Sequence, residues 1–356
     1  MSKVTFDNSQ SSFFKTLKGK VDKYFADHQI DPTGNSKLYL KSVLQIVSAM
    51  GLYIVLVFFT PVPVVAAILC GLLGLNMAVI GFNVMHEGSH LSFSKYAWLN
   101  KASGYFLNVM GGSAYYWKIK HNINHHTFTN IDGMDSDIDV RPWMRLHPSQ
   151  QRRWFHRFQH IYFVVLYGLS YFAWVFIDDF KKYISGKVTP DSEPKRIALK
   201  EHLIFWSTKV MYVGFYIGLP VFMLGWSQAL IGYSIMVFVC GVFISIVFQL
   251  AHVVEATTFT AAEEEVTKIP QSWAVHQLLS TANFATSNKV LSWFLGGLNF
   301  QIEHHLFPNI SHVHYPQVSR LVKEVCKEYN IDYLEYSSML KAFYSHLLHL
   351  RKLSAA

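Results

Sequence analysis

Ser42–Met85 reads SVLQIVSAMGLYIVLVFFTPVPVVAAILCGLLGLNMAVIGFNVM, with no Asp, Glu, Lys or Arg. A helix crosses the hydrocarbon core of a bilayer in roughly 20 residues, so this stretch is long enough for two crossings. Pro61 and Pro63 place the turn, giving helices near 42–60 and 64–85. A second uncharged run, Val210–Val254, breaks around Gly225 to Gln228 and gives helices near 206–225 and 229–251. Each run reads as a helical hairpin. Lys15, Lys18, Lys20, Lys23, Lys37 and Lys41 precede the first hairpin, and Arg141, Arg145, Arg152, Arg153, Lys181 and Lys182 lie between the two. The positive-inside rule then puts the ends of both hairpins in the cytoplasm. A third uncharged run, Ile161–Ile177, has 17 residues, is rich in Tyr, and is closed by Asp178, Asp179, Lys181 and Lys182. It reads as an interfacial or re-entrant helix. A crossing there would put the histidine clusters described next on opposite faces of the bilayer.

Composition agrees with a chain partly solvated by lipid: 51% of its 356 residues are hydrophobic and 15% charged, against about 25% charged in ordinary soluble domains. The net charge of +8 is concentrated beside the apolar runs, which suits anionic headgroups and an acidic protein partner rather than nucleic acid. Cys70, Cys240 and Cys326 are scattered and form no C-x-x-C, so neither a disulfide framework nor a thiolate metal site is expected. The first forty residues contain no apolar signal-peptide core. Residues 186–196, with Gly186, Pro190 and Pro194 among charges, read as a surface loop.

The chemistry is carried by histidine. His86-Glu87-Gly88-Ser89-His90 stands where the second predicted span ends, His121-Asn122-Ile123-Asn124-His125-His126 follows, and Gln301-Ile302-Glu303-His304-His305 comes after the second hairpin. Helix positions i and i+4 share a face, so His86 with His90, and His121 with His125, each aim at a common point. Seven imidazoles suit iron, zinc or copper and exceed what one tetrahedral ion needs. Two metals are therefore expected. A lone H-x-x-x-H near a membrane is more often a solvated or capping pair, and it is the joint occurrence of three clusters that argues for ligation.

His86–His90 also fits H-E-x-x-H, the zinc-protease motif in which Glu87 would be the general base. That reading leaves the other two clusters without a role. A non-enzymatic histidine-rich receptor or transporter is a third class, distinguished by tolerance to loss of single histidines. No second Glu-x-x-His of the kind used by soluble carboxylate di-iron bundles accompanies Glu87, so Glu87 reads as a hydrogen-bond partner of a ligating imidazole or as polar surface.

Over roughly residues 40 to 325 the chain resembles the membrane fatty-acid desaturases. The most specific part of the match is Gly296-Gly297-Leu298-Asn299-Phe300-Gln301-Ile302-Glu303-His304-His305-Leu306-Phe307-Pro308, followed by Ser311-His312-Val313-His314-Tyr315-Pro316. The resemblance implies an all-α integral membrane fold with four transmembrane helices in two hairpins, interfacial helices, and a cytosolic helical cap holding a di-iron centre that uses O2. It divides the chain into a cytosolic segment (1–41), the membrane domain (42–325) and a C-terminal cytosolic helical tail (326–356), with the active site and both termini facing the cytoplasm. Its implied ligand set is His86, His90, His121, His125, His126, His252, Gln301, His304 and His305, with Glu87, His276, Glu303 and His312 as supporting groups and His314 a weaker candidate. Gln301 stands where the general pattern has His, as in front-end acyl desaturases, and offers a metal only an amide oxygen or a hydrogen bond to water. His252 takes the place of a histidine expected near the end of the fourth span.

The implied reaction puts a cis double bond into a long acyl chain, presented as acyl-CoA or acyl-lipid and read by length and shape in a dry channel. The haem signature His-Pro-Gly-Gly of fused cytochrome b5 domains is matched only in its first two residues by His147-Pro148-Ser149-Gln150. Electrons are expected from a separate ferredoxin or cytochrome b5. A hydroxylase, ketolase or sphingolipid desaturase would use the same metal scaffold and is distinguished by its product.

Overall fold

Hydrocarbon offers the backbone no hydrogen-bond partner, so long charge-free stretches must satisfy themselves as helices. The computed structural model describes residues 3–7, 12–189, 193–261 and 266–355, and they are overwhelmingly helical. After a short strand β1 (Lys3–Phe6) and helix α1 (Ser12–His28), the first hairpin is α2 (Ser36–Phe59) and α3 (Pro63–Ser89). Asn35 caps α2 by accepting from the N–H groups of Lys37 and Leu38. Pro63 occupies the first turn of α3, where an absent N–H costs nothing.

Between the hairpins lie α4 (Ala97–Gly104), α5 (Lys118–His125) and α6 (Trp154–Ser185). The second hairpin is α7 (Leu199–Leu224) and α8 (Trp226–His252). Its break is a single residue, Gly225, whose φ of 84° is open mainly to glycine, and its first helix begins earlier than position 206. The two hairpins lock where α3 meets α8: a Cβ on Gly74 would lie 2.2 Å from the Met236 carbonyl oxygen. Only glycine allows that approach.

The described residues contain five helices long and apolar enough to cross a membrane, α6 being the fifth. It extends over 32 residues rather than 17. Phe163 and Tyr167, in its first half, pack with Val253 just beyond α8 and with Leu350. At its other end Phe180 and Tyr183 pack with Tyr116, immediately before α5, and with Phe205. Both ends of α6 therefore lie beside segments that flank the histidine clusters.

Beyond α8 come α9 (Trp273–Ser280), α10 (Gln301–Leu306), α11 (Tyr315–Glu328) and α12 (Met339–Ala355). Strand β1 pairs in parallel with β2 (Val266–Ile269), and β3 (Asn283–Phe284) with β4 (Glu335–Tyr336). This cap has its own apolar core, in which Phe13, Leu17 and Val21 of α1 meet Val318, Val322 and Val325 of α11. Burying each such side chain contributes about 1.5–3 kcal/mol. Helix α12 packs instead beside the start of α6: the carbonyls of Leu350, Leu353 and Ser354 accept hydrogen bonds from Gln159, Arg145 and Arg152. Cys70, Cys240 and Cys326 are free and buried.

Candidate metal centre

Three helix termini and one helical turn converge at one end of the bundle. The end of α3 brings His86 and His90, α5 and the residue after it bring His121, His125 and His126, the last residue of α8 is His252, and α10 brings His304 and His305. Two of these elements are wound more widely than an α-helix: residues 81–85 and 118–125 are π-helical. The wider turn of α5 places i and i+5 on one face, so His121 and His126 approach to 3.3 Å between Nε2 atoms. An α-helix would hold them well apart.

The imidazoles sort into two groups, each with one ring nitrogen per residue within 4.8 Å of the others: His86, His90, His121 and His304 in the first, and His125, His252 and His305 in the second. His126 stands between them, its ring centroid 4.6 Å from that of His304 and 4.4 Å from that of His305. Consecutive residues thus serve different groups. A third combination, His121, His125 and Asp137, shares ligands with both.

The nitrogens that face inward have nothing to bind within the protein. Nε2 of His90, His125, His252, His304 and His305 is buried without a hydrogen-bond partner among the described residues. His86 Nε2 and His121 Nε2 lie 3.2 Å apart, a contact of two lone pairs unless a proton or cation sits between them. Buried polar atoms are almost always satisfied, so this many converging orphans fits a set of metal ligands.

The outer nitrogens are held. His125 Nδ1–H donates to Asp135 Oδ2 at 3.0 Å, His305 Nδ1–H to Gln277 Oε1 at 2.8 Å, and His252 Nδ1–H to the Ser280 carbonyl at 3.4 Å; His304 Nδ1 is 3.1 Å from the Tyr315 hydroxyl. Such contacts orient a ligating ring and leave its Nε2 lone pair free. Protonation is opposed throughout much of the set. Burial, then the neighbouring imidazoles, holds His90, His126, His304 and His305 well below the usual histidine range. Burial takes His121 down to about 4 in spite of Asp137. His125 is the exception. Burial works against its cation, but Asp135 and Asp137 outweigh it and leave the ring raised.

Gln301, the first residue of α10, is buried. Glu87 points to a different partner: its carboxylate accepts from the His312 backbone N–H at 3.0 Å, from His312 Nδ1–H at 2.7 Å and from Ser92 Oγ–H at 3.1 Å. His312 Nε2 in turn is 2.7 Å from Lys41 Nζ. Tied down in this way, Glu87 is not available as the base of a zinc-protease site. Glu303 bonds Asn283 and Tyr333, His276 bonds the Thr129 carbonyl, and His314 bonds the Thr33 carbonyl. Sequence reasoning missed Asp135, Asp137, Gln277 and Tyr315. A signal existed for the first two, since Asp135-Ser136-Asp137 follows the second cluster by about ten residues. None existed for Gln277.

At the far end of the bundle the hairpins enclose an apolar cavity of about 600 Å³, walled by Leu56, Cys70, Leu73, Tyr216, Gly232 and Met236 among others.

Residues 59–337 match a family described as fatty acid desaturase. The chain is 34% identical over 99% of its length to the sn-1 linoleoyl-lipid 6-desaturase of Arthrospira platensis, covering 95% of that protein. It is 34% identical to the protein of the same description from Synechocystis sp., covering 96% of it. It is 33% identical to the acyl-lipid (8-3)-desaturase of Physcomitrium patens, covering 72%.

Proposed function

Because this chain belongs to the fatty acid desaturase family, we propose that it is a membrane-bound front-end desaturase of acyl lipids, working with two histidine-held iron ions, O2 and a separate electron donor. It is an oxidoreductase and a membrane protein. The acyl-lipid substrate and the front-end position follow the descriptions of its relatives, which act on linoleoyl-lipid at position 6 or carry the (8-3) designation.

The observation that carries the reading is the set of buried Nε2 atoms converging in two groups with no protein partner. His86, His90, His121 and His304 would hold one ion and His125, His252 and His305 the other, with His126 between them and Gln301 offering an amide oxygen. Iron bound there supplies O2 activation and removal of two hydrogens from adjacent methylenes. Two electrons and two protons from outside balance the reduction of O2 to two waters.

The chain's own residues supply the setting. His125, His252 and His305 have no measurable exposure, which keeps bulk water from competing for the oxidant. Asp135, Gln277 and Tyr315 fix ring orientation. Trp117 stacks on His121 at 4.4 Å, and Phe248 lies 5.1 Å from His125, giving apolar walls against which a methylene run can be aligned. The cavity between the hairpins suits the methyl-terminal part of a long chain. For topology, the two ends of α6, both beside segments that flank the histidines, favour an interfacial helix and four crossings, with the histidines and both termini on the cytoplasmic face. Exposed Lys118, Arg153 and Lys181 near that face would steer an acidic ferredoxin or cytochrome b5.

The test is the fatty-acid profile of a host expressing the chain. One new cis double bond between an existing one and the carboxyl end is expected, dependent on O2 and absent with H125A or H305A. A hydroxylated product alone, or activity that persists in those variants, refutes the proposal.

A further inference from the structure

We propose that Asn130 is the positioning residue of the second group, a single buried amide that sets the orientation of both His125 and His252. The inference rests on reading His125, His252 and His305 as the ligands of one metal. Asn130 lies five residues beyond His125, is fully buried, and holds φ at 57°, the left-handed conformation that Asn tolerates better than most residues. Its backbone N–H donates to Asp135 Oδ2 at 3.0 Å, the same oxygen that accepts from His125 Nδ1–H at 3.0 Å. Its side-chain Nδ2 faces three carbonyl oxygens: His252 at 2.8 Å, and Thr258 and Ser280 at 3.2 Å each. The Ser280 carbonyl is also the acceptor of His252 Nδ1–H.

This arrangement fixes the amide the right way round, since an oxygen in the place of Nδ2 would face three other oxygens. It also explains the backbone conformation. With φ positive, residue 130 points its N–H at Asp135 while its side chain reaches the end of α8. His252 is the last residue of α8, where carbonyls lack intrahelical partners, and the Asn130 amide supplies a donor to the His252 carbonyl. The residue therefore touches the outer partner of one imidazole, and both the carbonyl and the outer acceptor of another. It touches no ring of the first group. A role confined to folding would affect the two groups alike, whereas positioning affects the second alone.

The experiment reconstitutes detergent-purified full-length protein with Fe2+ under anaerobic conditions and measures iron per monodisperse chain. N130G keeps access to positive φ and the backbone donor to Asp135 but removes the amide. Iron is expected to fall from about two to about one per chain, with product formation down by roughly a hundredfold, the upper range for loss of an outer-shell partner. N130G combined with H305A should retain the same single iron, and N130G combined with H304A should retain none. Two irons in N130G, or equal loss from both groups, overturns the inference. If N130G is not monodisperse, N130D decides by the same criterion, because it keeps the shape and loses the donor. Failure of both to fold would make Asn130 a residue of the fold and also overturn it. Wild-type protein that takes up fewer than two irons would overturn the two-group reading itself, a result read without any variant.

Discussion

Replacing Asp135 by Asn tests how far the proposed metal centre depends on groups outside its ligand set. Asp135 is buried, and each of its oxygens is committed: Oδ2 accepts from His125 Nδ1–H and from the Asn130 N–H, both at 3.0 Å, and Oδ1 accepts from the Asp137 N–H at 2.9 Å. An amide of the same shape cannot meet this demand. With its oxygen toward His125, its NH2 opposes the Asp137 N–H; flipped, the NH2 opposes two donors. Either orientation leaves a buried donor unsatisfied, at about 1–3 kcal/mol. His125 can relieve the flipped arrangement by moving its proton to Nε2, but that removes the lone pair the metal needs. Affinity of the second group for iron should therefore fall tenfold to a hundredfold, or about 1.4–2.7 kcal/mol. The assay is anaerobic Fe2+ competition against a chromophoric chelator, comparing D135N with wild type, with desaturation measured in parallel. Wild-type affinity for both irons in D135N would refute the reasoning.

Lys41 is buried against His312, which binds Glu87. K41M should lower stability by about 1–3 kcal/mol by leaving the buried His312 Nε2 without its donor; thermal unfolding in detergent measures it, and an unchanged midpoint refutes it. G232F adds a ring at a wall of the hairpin cavity, where a Cβ already meets Cys70 Sγ at 3.1 Å. It should shift product profiles toward shorter acyl chains at unchanged metal content, read by gas chromatography of host lipids. His346 and His349 are buried in α12, where burial takes each down to about 4. Because the folded value lies below the free one near 6.5, both must charge on unfolding in acid. Their stability contribution is present above pH 6.5 and is lost as pH falls from there toward 4, by about 1.4 kcal/mol per unit for each. Unfolding midpoints of metal-free protein measured from pH 7 to pH 5 should show at least this slope, to which the depressed imidazoles of the two groups add, and H349Q should remove part of it.

The hairpins and the histidines were legible because each is written locally. A charge-free run of more than forty residues has few alternatives to a pair of spans, and repeated H-x-x-x-H spacing is meaningful on any helix. The true length of α6 was hidden by its polar ends. Asp178, Asp179, Lys181 and Lys182 read as a terminus, yet Asp179 continues the helix and is fully buried against Lys209 of α7 at 2.9 Å. A charge is a stop signal only if it meets water, and a partner thirty residues away cannot be seen in a hydropathy window. Gln277 and Tyr315 were invisible for the same reason. Their hydrogen bonds to His305 and His304 join segments whose contact exists only after the cap has folded. Asn130 shows the limit most clearly, since a lone Asn before Ile131 carries no mark of the three carbonyls it collects.

The way the histidines are divided argues that the separation of the two groups is built into the backbone. His304 and His305 are adjacent on α10, about 100° apart around its axis, and their ring centroids are 5.5 Å apart. His125 and His126, from a different part of the chain, stand 5.7 Å apart. Two independent pairs of neighbours therefore set nearly the same spacing. The π-helical winding of α5 serves the same end, because it lets His121 stay with the first group while His125 joins the second. Each group draws on three chain segments, α5 and α10 being common to both, so neither is complete until the turn that carries His304 and His305 is seated against the bundle.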